Sequence, residues 1–227
     1  MNNIVAAVKL ENHGSSSISE YGIEFMAADA FIPGDTPSAD VRLRLLCFNQ
    51  LGPRLETFGG WEPGKKCLIT GSIVFTDEKK DRLDVIVSTI TPDIPDTTYV
   101  NQVSLGSAFF GTGFDQVKVQ KTGNLAISIG ILMDESETKT WMSLECHESR
   151  KTKLQDRVRK GRSVSVVGSL REYRTEDRPT PYRAIICHDF STRKEQPKSA
   201  GSSQKEAARS GYQEASVDPT PVIEFAP

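Results

Sequence analysis

Alternation of apolar and polar positions runs through most of this chain, and it predicts strands far more often than helices. Residues 2–10 (NNIVAAVKL) are short, apolar and β-branched, and read as a first strand. The next ten, 11–20 (ENHGSSSISE), are polar and read as a turn or flexible hairpin tip. Across 21–31, Tyr21, Ile23 and Phe25 alternate with polar or small neighbours, a second strand. A loop rich in Pro and Asp covers 33–40. In 41–48 (VRLRLLCF), Arg42 and Arg44 face one way, while Val41, Leu43 and Leu45 face the other. A helix is expected around 51–58, kept short by Pro53 and the pair Gly59-Gly60. Residues 67–75 form a strand with Gly71 inside it, the mark of a bulge or sharp bend. The charged run 77–82 is a hairpin tip, 83–90 returns as a strand, and the two prolines of 91–98 mark an interdomain linker.

After that linker the pattern begins again. NQVSLGSAF (101–109) resembles NNIVAAVKL at an offset of about 99 residues, and GRSVSVVGSL (161–170) resembles GKKCLITGSI (64–73) at about 97. Gly161 matches Gly64, Gly168 matches Gly71, and Cys146 matches Cys47. YRAIICHDF (182–190) closes the second copy as 83–90 closes the first. Each copy has about five strands and one short helix after the third, the pattern of a small Greek-key barrel of the OB type. The expected architecture is therefore all-β: one OB barrel over 1–95, a second over 96–191, and a tail over 192–227. Most of that tail has almost no large apolar residues and is expected to be disordered. Val222, Ile223, Glu224 and Phe225 near its end read as a short partner-recognition tip.

Composition narrows the chemistry. The net charge of −2 excludes a strongly basic protein, but the charge is unevenly spread. Residues 1–95 carry 9 Lys/Arg against 13 Asp/Glu, and residues 96–190 carry 14 against 12. Polyanion binding is therefore expected in the second copy. Four widely spaced cysteines in strand-like settings read as reduced core residues, and no signal peptide or membrane span is visible. A cytoplasmic, nucleoid-associated protein is expected. Nucleophile-elbow, zinc-protease and phosphate-loop motifs are absent from the sequence, so the expectation is a protein that is not an enzyme. The Cys-His pairs at 146–147 and 187–188 make poor metal ligands, because strand neighbours point to opposite faces. No metal or cofactor is expected.

The richest mixture of aromatics and cations lies in 141–174 (WMSLECHESRKTKLQDRVRKGRSVSVVGSLREYR). On 141–147, Met142, Leu144 and Cys146 form the apolar face, which turns Trp141 and His147 outward. Arg150, Lys151, Lys153, Arg159 and Lys160 follow in the connector, then Arg171, Tyr173, Arg174, Arg178, Tyr182 and Arg183 around the last hairpin. Exposed rings flanked by cations suit a single nucleic-acid strand, whose bases stack and whose phosphates attract Lys and Arg. The first copy offers Arg42, Arg44, Phe48 and Phe75, with Trp61 either a further ring or a plug at the barrel end.

At these residues the chain resembles the bacterial-type single-stranded DNA-binding proteins. Val100-Asn101-Gln102-Val103-Ser104-Leu105-Gly106 is close to that family's V-N-x-V-x-L-x-G opening. Thr140-Trp141 stands at its T-x-W, and Arg159-Lys160-Gly161 precedes Val164-Ser165-Val166-Val167-Gly168-Ser169-Leu170-Arg171, similar to its V-x-V-x-G-x-L-R. The resemblance implies a base-stacking role for Trp141, with His147 where the family often has an aromatic. Thr175 stands where it often has a tryptophan, and Tyr173 offers the substitute ring. It further implies coating of single-stranded DNA in replication, recombination and repair. Single-fold members form tetramers, so a tandem chain implies a homodimer of four barrels or a higher homo-oligomer. Partner docking through the tail is a family trait, but the ending Glu224-Phe225-Ala226-Pro227 lacks the aspartate run and terminal phenylalanine. Two other readings fit the same residues: an OB module that binds proteins, as in a primosome, and a single-stranded RNA-binding protein.

Overall fold

A computed structural model describes residues 2–19, 21–36, 39–49, 51–52, 61–74, 83–132, 139–174 and 181–192. Twelve strands carry most of them. The first six are β1 (Asn2–Leu10), β2 (Ser15–Ile18), β3 (Glu24–Ile32), β4 (Val41–Phe48), β5 (Lys66–Val74) and β6 (Leu83–Thr91). The second six are β7 (Asn101–Phe110), β8 (Lys118–Val119), β9 (Leu125–Leu132), β10 (Lys139–Cys146), β11 (Ser163–Tyr173) and β12 (Tyr182–Thr192). One short helix, α1 (Lys151–Arg157), lies between β10 and β11.

The pairings close two barrels. β1 pairs with β3, β3 with β4, β4 with β6, β6 with β5, and β5 returns to β1. The β4–β6 pair is parallel and the others antiparallel. β7, β9, β10, β12 and β11 repeat the circuit, again with one parallel pair, β10–β12. Five strands joined in that order, with the third parallel to the fifth, are an OB fold in each copy. β2 and β8 are additions that pair on β3 and β9.

The repeat holds at fine detail. The β5–β6 register slips between Thr70 and Gly71, and the β11–β12 register between Val167 and Gly168. A methyl group on Gly71 would lie 2.3 Å from the Ile86 carbonyl oxygen, and one on Gly168 would lie 2.3 Å from that of Ile186. Both glycines therefore let a neighbouring backbone approach where the strand bends. Gly64 and Gly161, which open the matched strands, both have positive φ, 85° and 79°. We expect Gly168→Ala to cost about 1–3 kcal/mol through overpacking against backbone that cannot yield. Urea denaturation measures it, and an unchanged midpoint contradicts the close-approach account.

The inward positions are those the alternation predicts. Val41, Leu43, Leu45 and Cys47 are buried on β4, as are Met142, Leu144 and Cys146 on β10. Leu154 of α1 and Val158 are fully buried beneath the second barrel's connector. In the first copy Trp61 stands in that role: it is buried and its indole N–H donates to the Gly52 carbonyl at 3.1 Å. It is thus a plug, and its ring is withdrawn from the surface. The rest of the helix expected around 51–58 lies outside the described residues.

One expectation is corrected. The 11–20 segment is not only a turn, because Ser15–Ile18 pairs along β3 from Ser15↔Ala27 to Ile18↔Glu24. Its polar sequence hides a strand made by pairing, with Gly22 at φ 75° turning the chain. The 91–98 segment, expected as an interdomain linker, runs from the end of β6 toward β7 and is fastened in place. Ile94 N–H donates to the Lys66 carbonyl, and Lys65 Nζ bonds Asp93 at 2.9 Å, fastening it to β5 and its approach.

The two strand sets are also joined to each other. β1 pairs antiparallel with β7 from Asn2↔Leu105 to Ala6↔Asn101, so all twelve strands form one continuous sheet. Asn101 adds a side-chain rung: its amide donates to the Leu170 carbonyl at 2.8 Å and accepts from the Leu170 N–H at 2.9 Å. The described residues fall within one compact unit, Met1–Arg193.

Candidate nucleic-acid interface

The outward face of the second barrel carries a row of rings. Trp141 on β10 is 55% exposed, while its strand neighbour Met142 is buried. The indole meets Phe109 of β7 edge-on, with centroids 5.6 Å apart and planes at 76°. Glycines make the room. A methyl on Gly111 would strike the indole at 2.4 Å, and one on Gly130, across from both Trp141 and Phe109, would strike the Phe109 ring at 2.2 Å. Ser143 pairs with Ala184 in the parallel β10–β12 ladder, so Tyr182 begins β12 at the same end as Trp141. Tyr182 in turn faces Tyr173 across the β11–β12 ladder, with centroids 5.7 Å apart. Phe109, Trp141, Tyr182 and Tyr173, with Gly130 of β9 between the first two, therefore form one row across the five strands β7, β9, β10, β12 and β11. The sequence reading missed Phe109, although the Phe109-Phe110 doublet and Gly130 carried a signal.

A polar chain anchors one end of this row. The Tyr173 hydroxyl donates to Glu145 at 2.9 Å, and Gln120 Nε2 donates to the same carboxylate at 2.8 Å. Glu145 points outward, as the alternation requires, yet it is only 1% exposed. Burial raises the Tyr173 pKa first; the Arg171 hydrogen bond works against that, and Glu145 adds to it. The Arg171 pKa is itself raised, chiefly by its hydrogen bond to Tyr173. Asp35, from the first copy's 33–40 loop, adds to the negative field there.

Several predicted cations have structural partners. Glu172 is fully buried on the inward side of β11, and Arg183 Nε bonds it at 2.8 Å while Arg174 bonds its other oxygen. Arg150 and Lys153 both reach Asp189, at 3.2 and 2.9 Å, and Arg150 also bonds the His188 carbonyl. Those contacts, Lys153 first and then the Phe190 backbone N–H, hold the Asp189 pKa down at about 2. The Lys153 ammonium also lies 4.5 Å from the Phe190 ring centroid. Arg159 caps the connector by donating to the carbonyls of Gln155 and Val158. Lys151 and Lys160 are exposed. His147 is exposed, and its Nδ1 accepts from the Ser149 N–H, which starts the turn Glu148–Arg150.

In the first copy Arg42 and Arg44 face outward as expected, and the Phe48 ring meets Phe25 at 5.3 Å. Phe75, Arg178, Thr175, Val222, Ile223, Glu224 and Phe225 lie outside the described residues. All four cysteines are buried thiols. Burial, the larger cause, raises Cys47 to about 12 and Cys67 to about 11. Among the described residues no cluster of three or more His, Cys, Asp and Glu is placed to hold a metal ion, and no helix is long and apolar enough to cross a membrane.

No protein-family model matches this sequence, and no curated protein matches it. Solved structures do. The wild-type single-stranded DNA binding protein from Thermus aquaticus superposes with a TM-score of 0.61 at 15% identity, covering 90% of this chain and 98% of that one. A deletion mutant of the same Thermus aquaticus protein gives 0.59 at 13%, covering 88% and 98%. The likeness is one of fold, and it extends over both barrels.

Proposed function

We propose that this chain binds single-stranded DNA without catalysing a reaction, stacking bases on the second barrel's aromatic row and holding phosphates with Lys and Arg. One observation carries the reading: a half-exposed tryptophan stands on the outward sheet face, in line with three other rings, while its strand neighbours Met142, Leu144 and Cys146 are buried. A large ring is costly to leave in water unless something covers it, and a base is the cover that a sheet face with neighbouring cations suits. The likeness to the Thermus aquaticus protein, which binds single-stranded DNA, supports the same reading. Within it, residues 1–95 and 96–191 act as two OB domains, and two chains associate as a homodimer of four barrels. The uncharged outward residues Thr70, Ser72, Gln102, Ser104 and Ser169 on β5, β7 and β11 favour such stacking of sheets. Roles in replication, recombination and repair, and partner docking through 222–225, belong to the same proposal.

Fluorescence tests it. Trp61 is buried and Trp141 exposed, so quenching by bound bases reports on Trp141. Saturating poly(dT) should quench the emission, and log affinity should fall with log salt by roughly 0.7 for each phosphate contacted. Absence of quenching sinks the proposal. Competition by oligo(U) as strong as by oligo(dT) replaces DNA with RNA as the ligand.

A further inference from the structure

Glu145 lies on the outward face of β10, yet it is almost entirely withdrawn from water, at 1% exposure. Its ladder partners, Ala126 on β9 and Ile186 on β12, are uncharged. A carboxylate so buried has to be held by hydrogen bonds, and two donors converge on it. Gln120 Nε2 donates to Oε1 at 2.8 Å, and the Tyr173 hydroxyl donates to Oε2 at 2.9 Å. The same hydroxyl also hydrogen-bonds Arg171. Tyr173 belongs to β11 and Glu145 to β10, and β12 lies between those strands. The bond therefore draws the Tyr173 side chain across β12, where its ring meets Tyr182. The first barrel builds the same fold without this device. Cys47 matches Cys146, so Leu46 stands where the second barrel has Glu145. The buried acid is thus no requirement of the fold, and it accompanies the barrel that carries Trp141.

We propose that Glu145 is a positioning residue for nucleic-acid binding: together with Gln120 it fixes Tyr173 in the pose on which a base stacks, a role that rests on the single-strand binding proposed above. Gln120 comes from the turn after β8, so the added β8–β9 pair supplies one side of the support. A ring held before binding gives up less freedom when a base arrives. The carboxylate's charge works the other way, because it repels phosphates passing over it. Anchoring outweighs that repulsion.

The opposition makes the test one of sign. Glu145→Ala removes both charge and anchor, and the poly(dT) affinity of the full chain should fall about two- to tenfold, the worth of one hydrogen bond. Glu145→Gln keeps an acceptor for the Tyr173 hydroxyl and loses the charge, so it should bind at least as tightly as the parent. Tighter binding by both variants would make Glu145 a charge and nothing more, and overturns the anchor. Tyr173→Phe keeps the ring and loses only the bond, so it should reproduce the Glu145→Ala loss. Adding Glu145→Ala to Tyr173→Ala should weaken binding no further, and a continued loss there marks a purely structural role, which also overturns the anchor. Should Glu145→Ala not fold, Tyr173→Phe decides, with full affinity as the overturning result. Failure of the underlying reading looks different, because then the parent itself neither binds poly(dT) nor responds to Trp141→Ala.

Discussion

Trp141→Ala should weaken binding to poly(dT) by roughly five- to 150-fold, the equivalent of about 1–3 kcal/mol for one stacked base. The salt slope should stay the same, because the change removes a ring and no cation. That separation between affinity and slope is the diagnostic. The fold should survive, since more than half of the indole already faces water and its removal opens no interior cavity. Phe109 makes the effect larger than for an isolated ring. Meeting the indole edge-on, it limits the orientations of Trp141 before any base arrives, so less freedom is lost on binding. Equilibrium titration at moderate salt, with circular dichroism as the check on folding, measures the outcome. Unchanged affinity would show that the row of rings is not the stacking surface.

Glu172→Ala should be the most destabilising change in the second barrel, by about 3–5 kcal/mol, the usual cost of removing one partner from a buried ion pair. Glu172 has no exposure, and both Arg183 and Arg174 converge on it. Removing the carboxylate leaves the largely buried Arg183 guanidinium without its counter-charge. For a chain of this size the loss corresponds to a fall in Tm of about 6–20 °C. Thermal unfolding followed by circular dichroism reads it. A Tm within a degree or two of the parent would mean that water replaces the carboxylate.

The difference between what was legible and what was not follows the range of the forces involved. Faces of β4 and β10 were readable because alternation is a local property, and Leu43 or Leu144 has no other way to leave water. Gly71 and Gly168 were readable for the same reason, since a residue without Cβ inside an apolar run marks its own bend. The duplication showed through the offsets. What alternation cannot supply is what lies over an outward position. Glu145 keeps its predicted direction but is covered, because Tyr173 comes from β11 and Gln120 from the turn after β8. Glu172 takes an inward position that pattern alone would give to an apolar residue. Its compensation comes from Arg174, two residues on, and from Arg183 across the hairpin. The cations of the connector looked available because sequence could not show Asp189 beside Arg150 and Lys153. Phe109 was missed because its neighbour Trp141 is thirty-two positions away, brought close only by barrel closure.

The β1–β7 seam has a consequence for how such a protein behaves on dilution. When two barrels from separate molecules meet edge to edge, their union depends on concentration, and partners exchange. Here the strands that meet belong to one chain, and the two barrels are joined by the short connection from β6 to β7, itself fastened to the first barrel. The seam therefore forms as an intramolecular event, at an effective concentration far above that of the protein in solution. Each acidic barrel is born with its basic companion and cannot trade it for another. That permanence lets the two copies drift apart in surface chemistry, because neither ever has to recognise a twin of itself across this seam.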